Sequence, residues 1–304
     1  MPRVIVIGGA NVDIKGHVSG AFIGGTSNPG DVNVSVGGVG RNIAENLARL
    51  GVETSLLTVL GNDANGRMVR ETCATAGIDL SLTLTGPAST GTYLVILDRR
   101  GELQSAVNDM RNIEWLKPAH LAAVTDRLAK ADMIVVDCNI DATCLEWICG
   151  FCAGSRKRLV IEPVSVPKAK KLLAFQRSRP VFAITPNQQQ LEALTGKTDL
   201  KAALAALHAL GFENIVVHRG AKGAVASCPE GSCDVEAIGA GEIADVTGAG
   251  DAAVAALVCG LLDGLPLAKA ARLGQAAASL KLATRESVAQ DLSRDRVFAL
   301  AGFS

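Results

Sequence analysis

Apolar runs of strand length alternate with helical periods through most of the chain, and this rhythm limits the fold more than any other feature. "RVIVIG" (3–8) is followed by "RNIAENLARLG" (41–51), with Ile43, Leu47 and Leu50 at helical spacing. "TSLLTVLG" (54–61) then leads to a helix ending at Gly77. The rhythm resumes with "DMIVVD", "LVIEP", "VFAITPN" and "ENIVVHRG", each followed by a helix or turn. Strands separated by helices pair in parallel, and continuous rather than alternating apolar runs mean that both sheet faces are covered. Two stretches break the pattern, about 14–36 and 91–108, the second a hairpin around Arg100-Gly101. With no helix between strands they predict a small antiparallel sheet, either a lid over a site or an edge that pairs with a second copy. No linker, repeat or low-complexity tract interrupts the 304 residues, so one domain over 1–304 with this lid is expected.

Thirty basic side chains balance thirty acidic ones, which argues against nucleic acid or an anionic membrane as partner. "MPRVIVIGG" has too short an apolar run for a signal peptide, and no run reaches membrane-spanning length, so a cytoplasmic location is expected. Eight cysteines in so long a chain are too dilute for a disulfide scaffold and read as free thiols. Cys149 and Cys152 with Cys228 and Cys233 offer four thiolates to zinc, but one pair falls on a predicted helix and the other flanks a "PEGS" turn. His17, His120, His208 and His218 lack metal-ligand or triad spacing and read as surface or satisfied structural groups.

"LTGKT" (194–198) supplies only half of a phosphate loop, with Leu191 where its first glycine belongs, and reads as a helix end followed by a new helix. "GGVGRN" (37–42) lacks the third glycine of a dinucleotide fingerprint. "DVTGAGD" (245–251) is more informative, because it runs directly into "AAVAALVCGLL", a buried helix. Asp251 by itself is a capping acid stabilised by the helix dipole. Gly248-Ala249-Gly250 adds a turn whose N–H groups are open to an anion at the same helix end. An acid beside an anion cradle suggests phosphoryl transfer. "GGANVDI" puts Asp13 just past the first strand, and "GGVGRNIAENLA" puts Gly38 and Asn42 at a turn into a helix. All three sit where an open α/β sheet holds ligands, beyond the carboxyl ends of its strands.

"GGVGRNIA" resembles the first signature of the PfkB family of carbohydrate and nucleoside kinases, and "DVTGAGDAAVAA" its second. The resemblance extends over essentially the whole chain. Within the family, "SNPGDVNVSVGGVGRNIAENLARLG" and "SAVNDM" look most like the branch that phosphorylates pseudouridine. It implies a ribokinase-like α/β/α sandwich with a mostly parallel sheet and a β lid that often builds a homodimer, and an ATP-dependent kinase acting on a small sugar or nucleoside, here at the 5′-hydroxyl of pseudouridine. By the same resemblance Asp251 is the general base, and the Ala249 and Gly250 amides with Gly248 form the anion hole. Asp13, Gly38 and Asn42 hold ribose hydroxyls, while Asn187, Gly220 and Gly223 lie where the family binds nucleotide. Asp245 falls near a monovalent-cation (K⁺) site. Other sugar or nucleoside kinases, or a catalytically weak binding protein, are the alternatives.

One departure concerns Mg²⁺. In "TPNQQQLEALTG" Asn187 is followed by Gln190 where the family's Asn-x-x-Glu has its acid, so the geometry survives and the charge does not. In the lid, Ser27, Asn28, Asn108 and Asp109 are the polar groups available to a base edge, and Asn108 or Asp109 is expected to select pseudouridine over uridine through its additional ring N–H.

Overall fold

The computed structural model describes residues 3–175, 179–239 and 241–303. Eight strands form the main sheet, in the spatial order β14-β13-β12-β11-β10-β9-β1-β4. These are β1 (Arg3–Ile7), β4 (Glu53–Leu57), β9 (Met133–Asp137), β10 (Arg158–Glu162), β11 (Val181–Ile184), β12 (Phe212–His218), β13 (Ala224–Cys228) and β14 (Gly231–Val235). Every pairing from β4 to β12 is parallel, and only the β12–β13 and β13–β14 pairings at the edge are antiparallel.

The continuous apolar runs have a direct physical explanation. Val4 and Val6 of β1 and Met133 and Val135 of β9 pack into one core, while Ile5, Ile7, Ile134 and Val136 pack into the other. Side chains alternate between faces with period two, so a strand covered on both sides must be apolar at every position. Helices Ala142–Ser155, Gln188–Thr195 and Leu200–Ala209 close one face. Helices Val39–Arg49, Ala249–Leu262, Leu267–Leu282 and Arg294–Ala301 close the other. This is the three-layer α/β/α arrangement expected.

The lid is a second sheet with order β3-β2-β7-β8, formed by β2 (Asn11–Val18), β3 (Gly30–Gly37), β7 (Gly91–Leu97) and β8 (Leu103–Asp109). It corrects the expected antiparallel sheet in one respect: β2 and β7 pair in parallel, because a long stretch of chain separates them. The remaining short strands, β5 (Val59–Leu60) and β6 (Leu84–Thr85), form a two-stranded ladder. Across the lid, Ser35, Asp13, Tyr93 and Asn108 stand in one row, and Val34, Ile14, Leu94 and Val107 in the next. Adjacent rows face opposite sides. Val34, Leu94 and Val107 of the second row are exposed, as is Val32.

All eight cysteines are free, and burial pushes Cys149 and Cys152 up to about 12. Among the described residues no group of three or more His, Cys, Asp or Glu side chains is placed to hold a metal ion. No helix among them is long and apolar enough to cross a membrane. His208 is satisfied by Phe212 O and Ser227 Oγ, His120 accepts from Lys117 N, and His17 is exposed. His218 departs from expectation: its Nε2 is buried without a partner among the described residues, and burial pushes its pKa down to about 4.

Candidate active site

A cavity of about 690 Å³ opens between the lid and the carboxyl ends of the central strands. Gly9, Asn139 and Val164, each just beyond β1, β9 or β10, form its floor, and Tyr93 and Asn108 line it from the lid. Asp13, Gly38, Asn42, Gly248 and Asp251 all lie on its wall. The tertiary structure thus joins residues 8–13, 37–42 and 245–251 at one place. Asp13 lies within strand β2 rather than in the turn after β1, and its partner is Asn11, whose Nδ2 donates to Asp13 Oδ1 at 2.5 Å. Burial raises its pKa, against that hydrogen bond and the nearby Lys15 and Arg41 charges.

Gly38 shows why the sequence folds this way at the helix start. Its φ is +98°, and a Cβ there would meet Gly9 O at 2.5 Å. Only glycine permits both the conformation and the approach of helix Val39–Arg49 to the β1–β2 turn. That approach brings Asn42, on the first turn of the helix, to Asp251: Nδ2 donates to Oδ2 at 2.7 Å. One amide hydrogen of Asn42 is therefore engaged with the acid, while its buried Oδ1 has no partner among the described residues.

Asp251 is the third residue of helix Ala249–Leu262 and is 9% exposed. Burial pushes its pKa up to about 7. The Asn42 hydrogen bond opposes this, the Asp137 charge adds to it, and Arg41 and Lys281 pull it back. A carboxyl poised near neutrality beside a cavity is suited to accept a proton from an alcohol. Gly248 caps the helix at φ +84°, with no room for a Cβ, which would lie 2.0 Å from Ser287 O. Gly250 differs, because a Cβ there would meet nothing within 4 Å. Ala249 N–H donates to Val246 O at 3.3 Å. Among the described residues no hydrogen bond uses the N–H of Gly248, Gly250 or Asp251, and these remain free at the positive end of the helix.

Two residues missed in the sequence hold this arrangement. Asp137, fully buried at the end of β9, accepts from Gly9 N at 2.9 Å, Gly40 N at 2.8 Å and Asn139 N at 2.8 Å, and so ties both glycine turns to the sheet. The signal was present in "DMIVVD", an acid closing a buried strand. Arg41, 2% exposed, pairs with Glu45 at 2.5 Å and donates to the Val36 and Gly37 carbonyls at the end of β3, anchoring the lid. Val164 on the cavity wall has φ +67°, strained for a β-branched residue, and its N–H donates to Glu162 Oε1 at 3.1 Å. Burial pushes Glu162 up to about 8. Lys168 reaches the same wall and donates to Asn139 Oδ1.

Other nominated residues lie apart from the cavity. Asp109 is corrected: its side chain is 41% exposed, paired with Arg111 through hydrogen bonds of 2.9 and 2.7 Å that hold its carboxyl down at about 2, and it is no part of the cavity wall. Asn187 and Gln190 satisfy each other in a capping box, Asn187 Oδ1 accepting from Gln190 N and Gln190 Oε1 from Asn187 N. Neither offers Mg²⁺ a carboxylate or an unengaged side-chain oxygen, so this pair does not fit direct magnesium ligation. Gly220 and Gly223 form the β12–β13 turn near Asn187, which bridges to His218. The carboxylate of Asp245 takes Lys15 Nζ at 3.1 Å and its carbonyl takes Lys281 Nζ at 2.8 Å, so its oxygens do not fit a further cation.

The chain belongs to the PfkB family of carbohydrate kinases, whose pattern matches residues 1–293. A pseudouridine kinase from Escherichia coli K12 is 33% identical over 303 residues, covering 98% of this chain and 96% of that one. An uncharacterized sugar kinase from the same organism is also 33% identical over 303 residues, covering 97% and 82%. The solved structure of a carbohydrate kinase from Agrobacterium tumefaciens superposes with a TM-score of 0.88 at 31% identity, covering 100% and 98%. The protein is thus a ribokinase-like kinase of a sugar or nucleoside.

Proposed function

We propose that the enzyme transfers the γ-phosphoryl group of ATP to the 5′-hydroxyl of pseudouridine. The observation that carries this reading is the cavity of about 690 Å³ and the polar groups that line it. Asp13 and Asp251 line it together with the amides of Asn108, Asn112 and Asn139 and the Lys168 ammonium. A volume in the range of drug-sized ligand sites exceeds what a free pentose fills, and amides with an ammonium suit a base edge bearing two carbonyls and ring N–H groups. Asn112 is a further acceptor: Nδ2 donates to Val59 O at 2.9 Å, and its buried Oδ1 has no partner among the described residues. An unpaired buried acceptor is costly until a ligand donor meets it, so Asn112 or Asn108 would favour the nucleoside with the additional N–H.

In the reaction, Asp251 accepts the hydroxyl proton as the phosphoryl group arrives, and the free amides of Gly248, Gly250 and Asp251 receive its negative charge. Magnesium would come with the nucleotide phosphates, its remaining ligands drawn from water. The nucleotide itself would lie toward Asn187, Gly220 and Gly223, the same side of the sheet's carboxyl edge. The exposed apolar lid face of Val32, Val34, Leu94 and Val107 suits a second copy, and free buried thiols suit a cytoplasmic location. Sedimentation of wild type against Val107→Glu tests the dimer, and an unchanged monomer in both rejects it.

The deciding experiment is ADP release across pseudouridine, uridine, adenosine, ribose and fructose. The highest kcat/KM is expected with pseudouridine. Preference for ribose or fructose would replace this reading with a sugar kinase, which the equal match to a sugar kinase favours as second.

A further inference from the structure

Lys281, in the last turn of helix Leu267–Leu282, is 0% exposed. A lysine is almost never fully buried unless its charge is paired, yet among the described residues no ion pair involves it. Its ammonium instead donates to two backbone carbonyls, Asp245 O at 2.8 Å and Thr284 O at 3.1 Å. Carbonyl dipoles replacing a hydration shell are how proteins hold a bare monovalent ion.

The two carbonyls belong to different loops, and those loops meet at the cradle. Residues 245–247 lead into Gly248, whose missing Cβ would lie 2.0 Å from Ser287 O on the other loop. Lys281 therefore links the loops just upstream of their contact. Ala244 N, donating to Leu282 O at 2.8 Å, adds a second tie to the same helix end. The ammonium also attracts the Asp251 carboxylate.

We infer that Lys281 is a built-in monovalent cation: a positioning residue that sets the Gly248 turn, so that the enzyme needs no dissociable K⁺ or NH₄⁺. This rests on the 245–251 turn being the phosphoryl cradle and is independent of which acceptor is phosphorylated. Lys281→Ala leaves a carbonyl-lined hole, and Lys281→Met fills it without charge.

The test is steady-state kinetics in tetramethylammonium buffer at constant ionic strength, on the best acceptor of the panel, with Li⁺, Na⁺, K⁺ or NH₄⁺ added. A wild type that is inactive on pseudouridine but active on another acceptor affects only the substrate reading. Wild type is expected to be indifferent to the added ion. Lys281→Ala should lose kcat ~10-fold or more with acceptor KM within ~3-fold, and K⁺ or NH₄⁺ should restore it saturably where Li⁺ does not. Lys281→Met should lose rate without rescue. Stimulation of wild type by K⁺ would overturn the inference even if neither variant folds. A folded Lys281→Ala that keeps full kcat, or loses it with no rescue by any ion, would overturn it equally.

Discussion

Asp251 and Asp109 are both carboxylates nominated from sequence, and the protein treats them oppositely. Asp251 lies at the end of a buried helix under the lid, where lost hydration pushes it up to about 7. Asp109 lies at the end of a lid strand in water, where Arg111 holds it at about 2. Same chemistry, different surroundings: the first is a base that is easily protonated and reactive, the second a permanent surface anion. A carboxylate's role follows from what excludes water around it.

The sharpest way to break this comparison is to neutralise each acid. Asp251→Asn is expected to lower kcat by ~10³-fold or more while acceptor affinity changes little, because proton acceptance matters mainly in the transition state. Asp109→Asn should leave kcat/KM within ~2-fold, as for an exposed pair. Kinetics that rank the two variants the other way would reverse the assignment.

A smaller effect lies in the pH profile. The base must be ionised, so kcat/KM, which reports the free enzyme, should fall as pH drops below about 7. Asn42→Ala removes the donor that stabilises the ionised form and should shift this limb to higher pH. The stability sign is opposite to that of an ordinary carboxylate. A raised folded pKa contributes stability that is present at low pH and lost as pH rises from about 4 toward 7. Asp251→Asn escapes that loss, so its Tm should draw above wild type across this interval and remain higher. Melting curves with a constant gap from pH 4 to 8 would contradict the buried-charge account.

The smallest expected effect is at Gln190. Its side chain serves a capping box, so Gln190→Glu should alter the Mg²⁺ concentration for half-maximal rate by less than ~3-fold. A larger gain in a Mg²⁺ titration would mean that the missing acid limits metal use.

Composition and spacing determined the layered fold, because a doubly covered parallel sheet leaves an unmistakable pattern: apolar at every strand position, then helical periods. They also determined the turn at 248–250, since only glycine permits the φ +84° of Gly248 together with its close approach to Ser287 O. Local sequence did not decide which polar atoms are free. Asn42 donates to an acid 209 residues away, Asp137 gathers amides from two distant turns, and Ala249 N–H closes onto Val246. Nor did it reveal that Lys281, unremarkable in a helical repeat, buries its charge against carbonyls of Asp245 and Thr284. Hydrogen-bond partners and hydration depend on which segments meet in space, and that is settled only when the sheet has brought the ends of β1, β9 and β10 beneath the lid.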